Sequence, residues 1–142
     1  MLDDVSKLKL LGQSKTKYPT KVDQNILECF PNRFPERDYW VCLTTDEFTS
    51  LCPMTGQPDY GTITIKYRPD QLCIESKSLK FYLFSYRQEP TFMETVVNRI
   101  LDDLVSVAQP REMIVTGKFK PRGGIVIEVE AKYLLDKKTK RN

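Results

Sequence analysis

Histidine is absent from the whole 142-residue chain, which removes His-dependent catalytic triads, HExxH zinc sites and mixed Cys/His zinc sites together. The four cysteines, Cys29, Cys42, Cys52 and Cys73, form no CxxC pair, which argues against a zinc ribbon, and no metal is expected. No apolar run approaches the roughly 18 residues of a membrane helix, so no membrane partner is expected. The opening Met1-Leu2-Asp3-Asp4 puts two acids where a secretory signal would carry a basic end and an apolar run. The expected location is cytoplasmic, and the expected state of the cysteines is the free thiol. Neither GxGxxG nor GxxxxGK[ST] occurs, so neither a Rossmann turn nor a P-loop is available to hold a nucleotide.

What is present suits one domain, since a chain of this length buries about 68–70% of the surface its unfolded form exposes. Hydrophobic residues make up 40% and charged residues 29%, with 22 basic against 19 acidic side chains. Four of the basic ones, Lys137, Lys138, Lys140 and Arg141, crowd the last six residues; without them 18 face 19, a net of −1. The basicity belongs to a terminal tail, and the plainer reading of such a tail is a solvated end. Direct nucleic-acid binding is not expected.

Residues 1–37 lack a sustained period and contain Pro19, Pro31 and Pro35; they read as an N-terminal arm. From 38 to 133 the pattern is orderly, and 134–142 form the basic tail. Tyr39, Val41 and Leu43 alternate with Trp40, Cys42 and Thr44, then Ile63, Ile65 and Tyr67 with Thr62, Thr64 and Lys66, giving two strands joined by a long connection over 46–60. Leu79, Tyr82, Leu83 and Tyr86 follow helical spacing from Ser76. A longer helix begins near Thr91, where Thr91 and Glu94 fit a capping box, and stops at Pro110. Two more alternating segments, 113–119 and 125–131, flank the turn Lys120-Pro121-Arg122-Gly123-Gly124. The order ββααββ predicts an α+β fold, an antiparallel four-stranded sheet with two helices on one face. Its two open edges make association with further copies plausible on physical grounds.

Cys52 and Asp59 stand on the connection between the first two strands, where a thiol beside turn residues is more accessible than Cys42 inside a strand. Spacing alone weighs toward an unreactive loop cysteine with Asp59 serving the turn. Lys77 and Lys80 near the start of the first helix place two ammonium groups by outward-pointing backbone N–H groups, which favours phosphate, although lysine pairs on helices are usually solvated surface. Arg122 reads as a further phosphate ligand or a hairpin-tip charge. Glu94 reads as the cap, or as a carboxylate gripping an N–H edge through paired hydrogen bonds.

The segments FTSLCPMTGQPD, ESKSLKFYLFSYR, FMETVVNRI and KFKPRGGI together closely resemble the unimodular NADPH-dependent 7-cyano-7-deazaguanine reductases, the QueF family of queuosine biosynthesis, from about Asn25 to Lys132. The resemblance implies a tunnelling fold (T-fold), assembled as homo-oligomeric pentameric rings or a decamer with active sites between subunits, and a small-molecule 7-deazapurine substrate. It implies that Cys52 attacks the nitrile carbon to give a thioimide and that Asp59 protonates the nitrogen. It also implies that Glu94 reads the aminopyrimidinone edge with Ser76 near the base, and that Lys77, Lys80 and Arg122 hold the NADPH phosphates. These implications reverse the weighting for Cys52, Asp59 and Glu94.

One position departs from the family, which usually carries histidine where this chain has Met93. Two other readings therefore stand beside the reductase: a relative that converts the deazaguanine nitrile of a nucleic acid to an amidine, and a binder that captures its ligand on Cys52 without reducing it. Methionine has no proton to give. The expected outcome is slower hydride transfer with thioimide formation retained, and comparing turnover before and after Met93→His checks it: an unchanged rate would contradict the expectation.

Overall fold

A computed structural model describes residues 15–136 together with Ser6 and Lys9; the four basic residues of the tail lie outside the described residues. The elements are β1 (Cys29–Pro31), β2 (Val41–Leu51), β3 (Pro58–Arg68), β4 (Leu72–Ile74), α1 (Ser76–Phe84), α2 (Met93–Ala108), β5 (Glu112–Phe119) and β6 (Glu128–Leu134), with a short 3-10 turn over Ser85–Gln88 after α1. β2-β3-β5-β6 form one antiparallel sheet in that order. The α+β reading and the two-helix, four-stranded layout hold.

The core lies between sheet and helices because their apolar periods coincide there. Ile63, Ile65 and Tyr67 of β3 and Met113, Val115 and Phe119 of β5 face inward at every second position. Leu79, Tyr82 and Leu83 of α1 meet them, as do Val96, Val97, Ile100, Leu101 and Leu104 along one stripe of α2. Buried hydroxyls in this layer are paired: Tyr82 donates to Asp103 at 2.6 Å and shares a 2.9 Å bond with Tyr86. A small second sheet, β1 with β4, ties down Leu27, which is buried in the core. Three-residue strands leave no readable period in the sequence.

The largest departure from expectation is the connection between the first two strands. It is no long loop: β2 runs on to Leu51 and β3 begins at Pro58, with Leu51 opposite Pro58 and Ser50 opposite Asp59. A shift of register between Thr45 and Phe48 absorbs Asp46 and Glu47, so alternation resumes out of phase and hides the strand from a periodicity test. Pro58 fits as the first residue of its strand, where its missing N–H does no harm.

Smaller corrections have similar causes. The Thr91–Glu94 capping box does not form; α2 has Phe92 at its N-cap and no side-chain cap there. The last strand starts three residues late, at Glu128, because the preceding hairpin flares and leaves Ile125 and Val126 exposed. Cys42, expected to be hidden inside a strand, is exposed, since β2 is the sheet edge and Cys42 points away from the core.

Close approach at β3 fixes one glycine. A Cβ on Gly61 would lie 2.8 Å from the Phe119 ring and 2.9 Å from the Lys118 carbonyl oxygen, neither of which can retreat without moving β5. Gly61→Ala should lower stability by roughly 1–3 kcal/mol, read as a shift of the urea midpoint; an unshifted midpoint would show that the β3–β5 spacing is not rigid.

Candidate active site

The turn that joins β2 to β3 is tight and rests on backbone bonds from its first residue. Cys52 N–H donates to the Gln57 carbonyl at 2.8 Å, and Gly56 N–H donates to the Cys52 carbonyl at 2.9 Å. Gly56 takes φ +70°, a left-handed conformation that glycine adopts without a Cβ penalty. The turn is also anchored from outside: Leu51 N–H donates to the Glu89 carbonyl and Thr91 N–H to the Leu51 carbonyl, both at 3.0 Å. Cys52 therefore sits beside the segment that leads into α2, bringing it toward Glu94 from a distant part of the sequence.

Several donors act on the sulfur. Its pKa is pulled down from 9.0 to about 7, first by the Thr55 hydroxyl, then by the backbone N–H groups of Thr55 and Met54, with the Arg122 guanidinium adding to them against partial burial. Thr55 Oγ1 accepts from Gln57 N–H at 3.3 Å, which leaves its own proton for the sulfur. At neutral pH about half of such a thiol is thiolate, against about one per cent at a pKa of 9. What singles out Cys52 is this set of donors, because Cys42 is the more exposed thiol.

Asp59, on the first rungs of β3, is 5% exposed. The Arg122 guanidinium approaches its Oδ1 to 2.7 Å, although the angle does not make a well-directed hydrogen bond, and Oδ1 has no other partner among the described residues. Arg122 reaches it from the β5–β6 hairpin, where an Arg122–Ile125 bridge and positive φ at Gly123 and Gly124 set the turn. The sequence leaves Arg122 as a phosphate ligand or a tip charge; its approach to Asp59 depends on hairpins far apart in the chain. Thr55 was missed as well, and its signal was a hydroxyl three residues after a cysteine just before glycine.

The other predicted residues divide into two groups. Glu94 is exposed in the first turn of α2, with no capping duty, so the structural explanation for it is gone. Met93 beside it is buried in the core. Ser76 and Lys80 line a groove of about 240 Å³ between α1 and the β2 edge, with Thr44, Leu79, Phe84 and Arg87 among the other walls, and Lys77 is exposed beside it. The backbone N–H groups at the start of α1 are not available for phosphate: Glu75 accepts from Lys77 N–H and Ser78 N–H, both at 2.7 Å, bonds that hold its carboxyl below its usual pKa. Lys77 and Lys80 form no ion pair among the described residues. Two exposed ammonium groups one turn apart suit the phosphates of a dinucleotide.

A cysteine with a lowered pKa and a buried carboxyl at the end of a β-hairpin, on an antiparallel α+β T-fold, are groups suited to covalent attack on an electrophilic carbon. Residues 58–138 match the family described as QueF-like protein. The NADPH-dependent 7-cyano-7-deazaguanine reductase of Streptococcus mutans is 52% identical over 92% of this chain and 81% of its own length. The enzyme of the same name from Neisseria meningitidis is 50% identical over 92% of this chain and 83% of its own. The crystal structure of the archaeosine synthase QueF-Like in the apo form superposes with a TM-score of 0.62 at 25% identity, covering 66% of this chain and 91% of that one. The chain belongs to the QueF family.

The donor set around the sulfur predicts that alkylation of Cys52 by iodoacetamide, followed by peptide mass, rises through a midpoint near pH 7. Thr55→Val removes the strongest donor, so the midpoint moves upward. A wild-type midpoint at the ordinary thiol value, or one that ignores Thr55→Val, would contradict the assignment.

Proposed function

We propose that this chain reduces the nitrile of 7-cyano-7-deazaguanine to 7-aminomethyl-7-deazaguanine with NADPH, through a thioimide on Cys52. The observation that carries this reading is a thiol brought to a pKa of about 7 beside a buried carboxyl, in a chain about half identical to curated reductases. The amidine-forming alternative draws on a solved structure at half that identity, and the two lysines suited to a dinucleotide favour the reductase over it and over simple capture.

The Cys52 thiolate attacks the nitrile carbon; the sulfur–carbon bond forms as one carbon–nitrogen π bond breaks, and the pair of electrons goes to nitrogen. Asp59 carries the proton released by the thiol to that nitrogen, giving the neutral thioimide. NADPH, when bound, would supply a hydride twice, as the four-electron reduction of a nitrile to an amine requires. Asp59, reprotonated from solvent, delivers a proton to the nitrogen with each hydride, and between the two the sulfur–carbon bond breaks with its electron pair going to sulfur, restoring the Cys52 thiolate. Arg122 limits the charge change when Asp59 has given up its proton. Glu94, free of the helix cap, accepts from the N–H edge of the aminopyrimidinone, with Ser76 near the base. Lys77 and Lys80 would hold the NADPH phosphates, with the remaining N–H groups of Arg122 as a further ligand.

The arrangement supports a site shared between copies. Ser76 and Thr45 border the same groove, whereas Leu51, next to Cys52, meets Glu89 at the far end of the helix. Along the β2 strand or along α1 and its 3-10 turn, the separation is roughly 20 Å, too far for the Ser76 end of one chain to serve its own sulfur. Among the described residues the β2 and β6 edges each have one strand neighbour and would continue the sheet into the next copy, in pentameric rings or a decamer of two rings.

Cys52→Ala should abolish both the adduct seen by intact mass and nitrile-dependent NADPH oxidation. Lys77→Ala/Lys80→Ala should keep the adduct and lose oxidation. Mixing these two inactive variants under conditions that exchange subunits should restore part of the activity. Oxidation persisting in Cys52→Ala would overturn the mechanism, and mixtures that stay inactive after verified exchange would overturn the shared site.

A further inference from the structure

Three buried side-chain oxygens have no hydrogen-bond partner among the described residues, Thr49 Oγ1, Ser50 Oγ and Asp59 Oδ1, and all belong to the β2–β3 hairpin next to Cys52. The contrast with the rest of the core is sharp. Ser78 donates to the Glu75 carbonyl at 2.8 Å, Ser85 to the Tyr82 carbonyl, and Tyr82 to Asp103. A buried hydroxyl without a partner lowers stability, and one found in a folded protein calls for an explanation.

Ser50 is the most confined of the three, with no exposure at all. Neither solvent, substrate nor a second copy reaches it, so any part it plays must pass through a neighbour. It stands directly opposite Asp59 in the β2–β3 register, on the same face of the sheet, where facing Cβ atoms lie about 4.5–5.5 Å apart. Thr49, opposite Tyr60, points to the other face. The donors that act on the Cys52 sulfur are Thr55, Met54 and Arg122, which leaves the Asp59 carboxyl as the polar group across from Ser50.

We propose that Ser50 is a positioning residue for Asp59: its hydroxyl, held in reserve without a partner, turns between staggered rotamers to donate to the Asp59 carboxylate once that group has given its proton to the substrate nitrogen. This rests on the reductase reading. The hydroxyl keeps its own proton throughout; Asp59 alone loses and regains one. A hydroxyl bond to the ionised carboxyl is charge-assisted and one to the protonated carboxyl is not, so it favours the state that follows proton delivery.

The test compares wild type, Ser50→Ala and Ser50→Cys for nitrile-dependent NADPH oxidation, for the Cys52 adduct by intact mass, and for melting temperature. Ser50→Ala should lower kcat about ten- to a hundredfold, the loss of one charge-assisted hydrogen bond, with KM for the nitrile and the extent of adduct unchanged. Its melting temperature should stay level or rise, because an unpartnered hydroxyl has gone. Ser50→Cys, nearly the same size and a weaker donor, should fall between, and it supplies the comparison if the alanine chain does not fold. A kcat within twofold of wild type, or a loss of kcat accompanied by lower melting temperature or a lost adduct, would overturn the proposal. If wild type itself forms no adduct and oxidises no NADPH, the reductase reading falls and takes this one with it; an active wild type with an equally active Ser50→Ala removes this one alone.

Discussion

The site depends on how the β2–β3 hairpin closes. The reciprocal backbone bonds among Cys52, Gly56 and Gln57 give the turn one geometry, and Leu51 is locked to the segment before α2 on the other side. Gln57 N–H donates to Thr55 Oγ1, a bond that leaves the Thr55 proton free for the sulfur. The same closure sets the register that buries Asp59 opposite Ser50. The lowered pKa of this sulfur is thus a consequence of backbone pairing: the groups that lower it are ones the turn would have to present in any case.

Around that turn the fold separates rigidity from exposure. The apolar faces of β3, β5 and α2 are buried, and the Tyr67 hydroxyl among them accepts from Ile74 N–H at 2.9 Å, whereas hydrogen-bonding capacity goes unmet where Cys52 and Asp59 lie. Concentrating unsatisfied groups at one end of one hairpin costs local stability, and the continuous sheet beneath compensates for it. Arg122 adds a second constraint, since its guanidinium reaches Asp59 from a hairpin whose glycines hold a conformation other residues would resist. The charged cluster is consequently assembled from three hairpin and loop segments on one rigid support.

The long helices and the central strands were legible because their apolar residues recur at regular intervals, as Val96, Val97, Ile100, Leu101 and Leu104 do on α2. Where the interval breaks, the reading broke with it. Asp46 and Glu47 occupy a register shift that makes a continuous strand look like the start of a loop. Thr91 and Glu94 have the spacing of a capping box, yet Thr91 is held by the Leu51 carbonyl and cannot serve α2. At the start of α1, Glu75 takes the backbone N–H groups that a phosphate would otherwise use, an outcome that local sequence permits but does not require.

The sequence by itself determined the fold class, the candidate thiol, the carboxyl seven residues beyond it and the family these belong to, because all of these are written in residue type and spacing along one strand of the chain. Only the tertiary structure decided which groups act on the sulfur, that Arg122 faces Asp59, and that Ser50 is shut in opposite it. Arg122 comes from a hairpin some sixty residues further along the chain, and Ser50 meets Asp59 across the strands of a single hairpin. These relations arise from sheet register and turn geometry, which bring together side chains whose proximity no local pattern encodes.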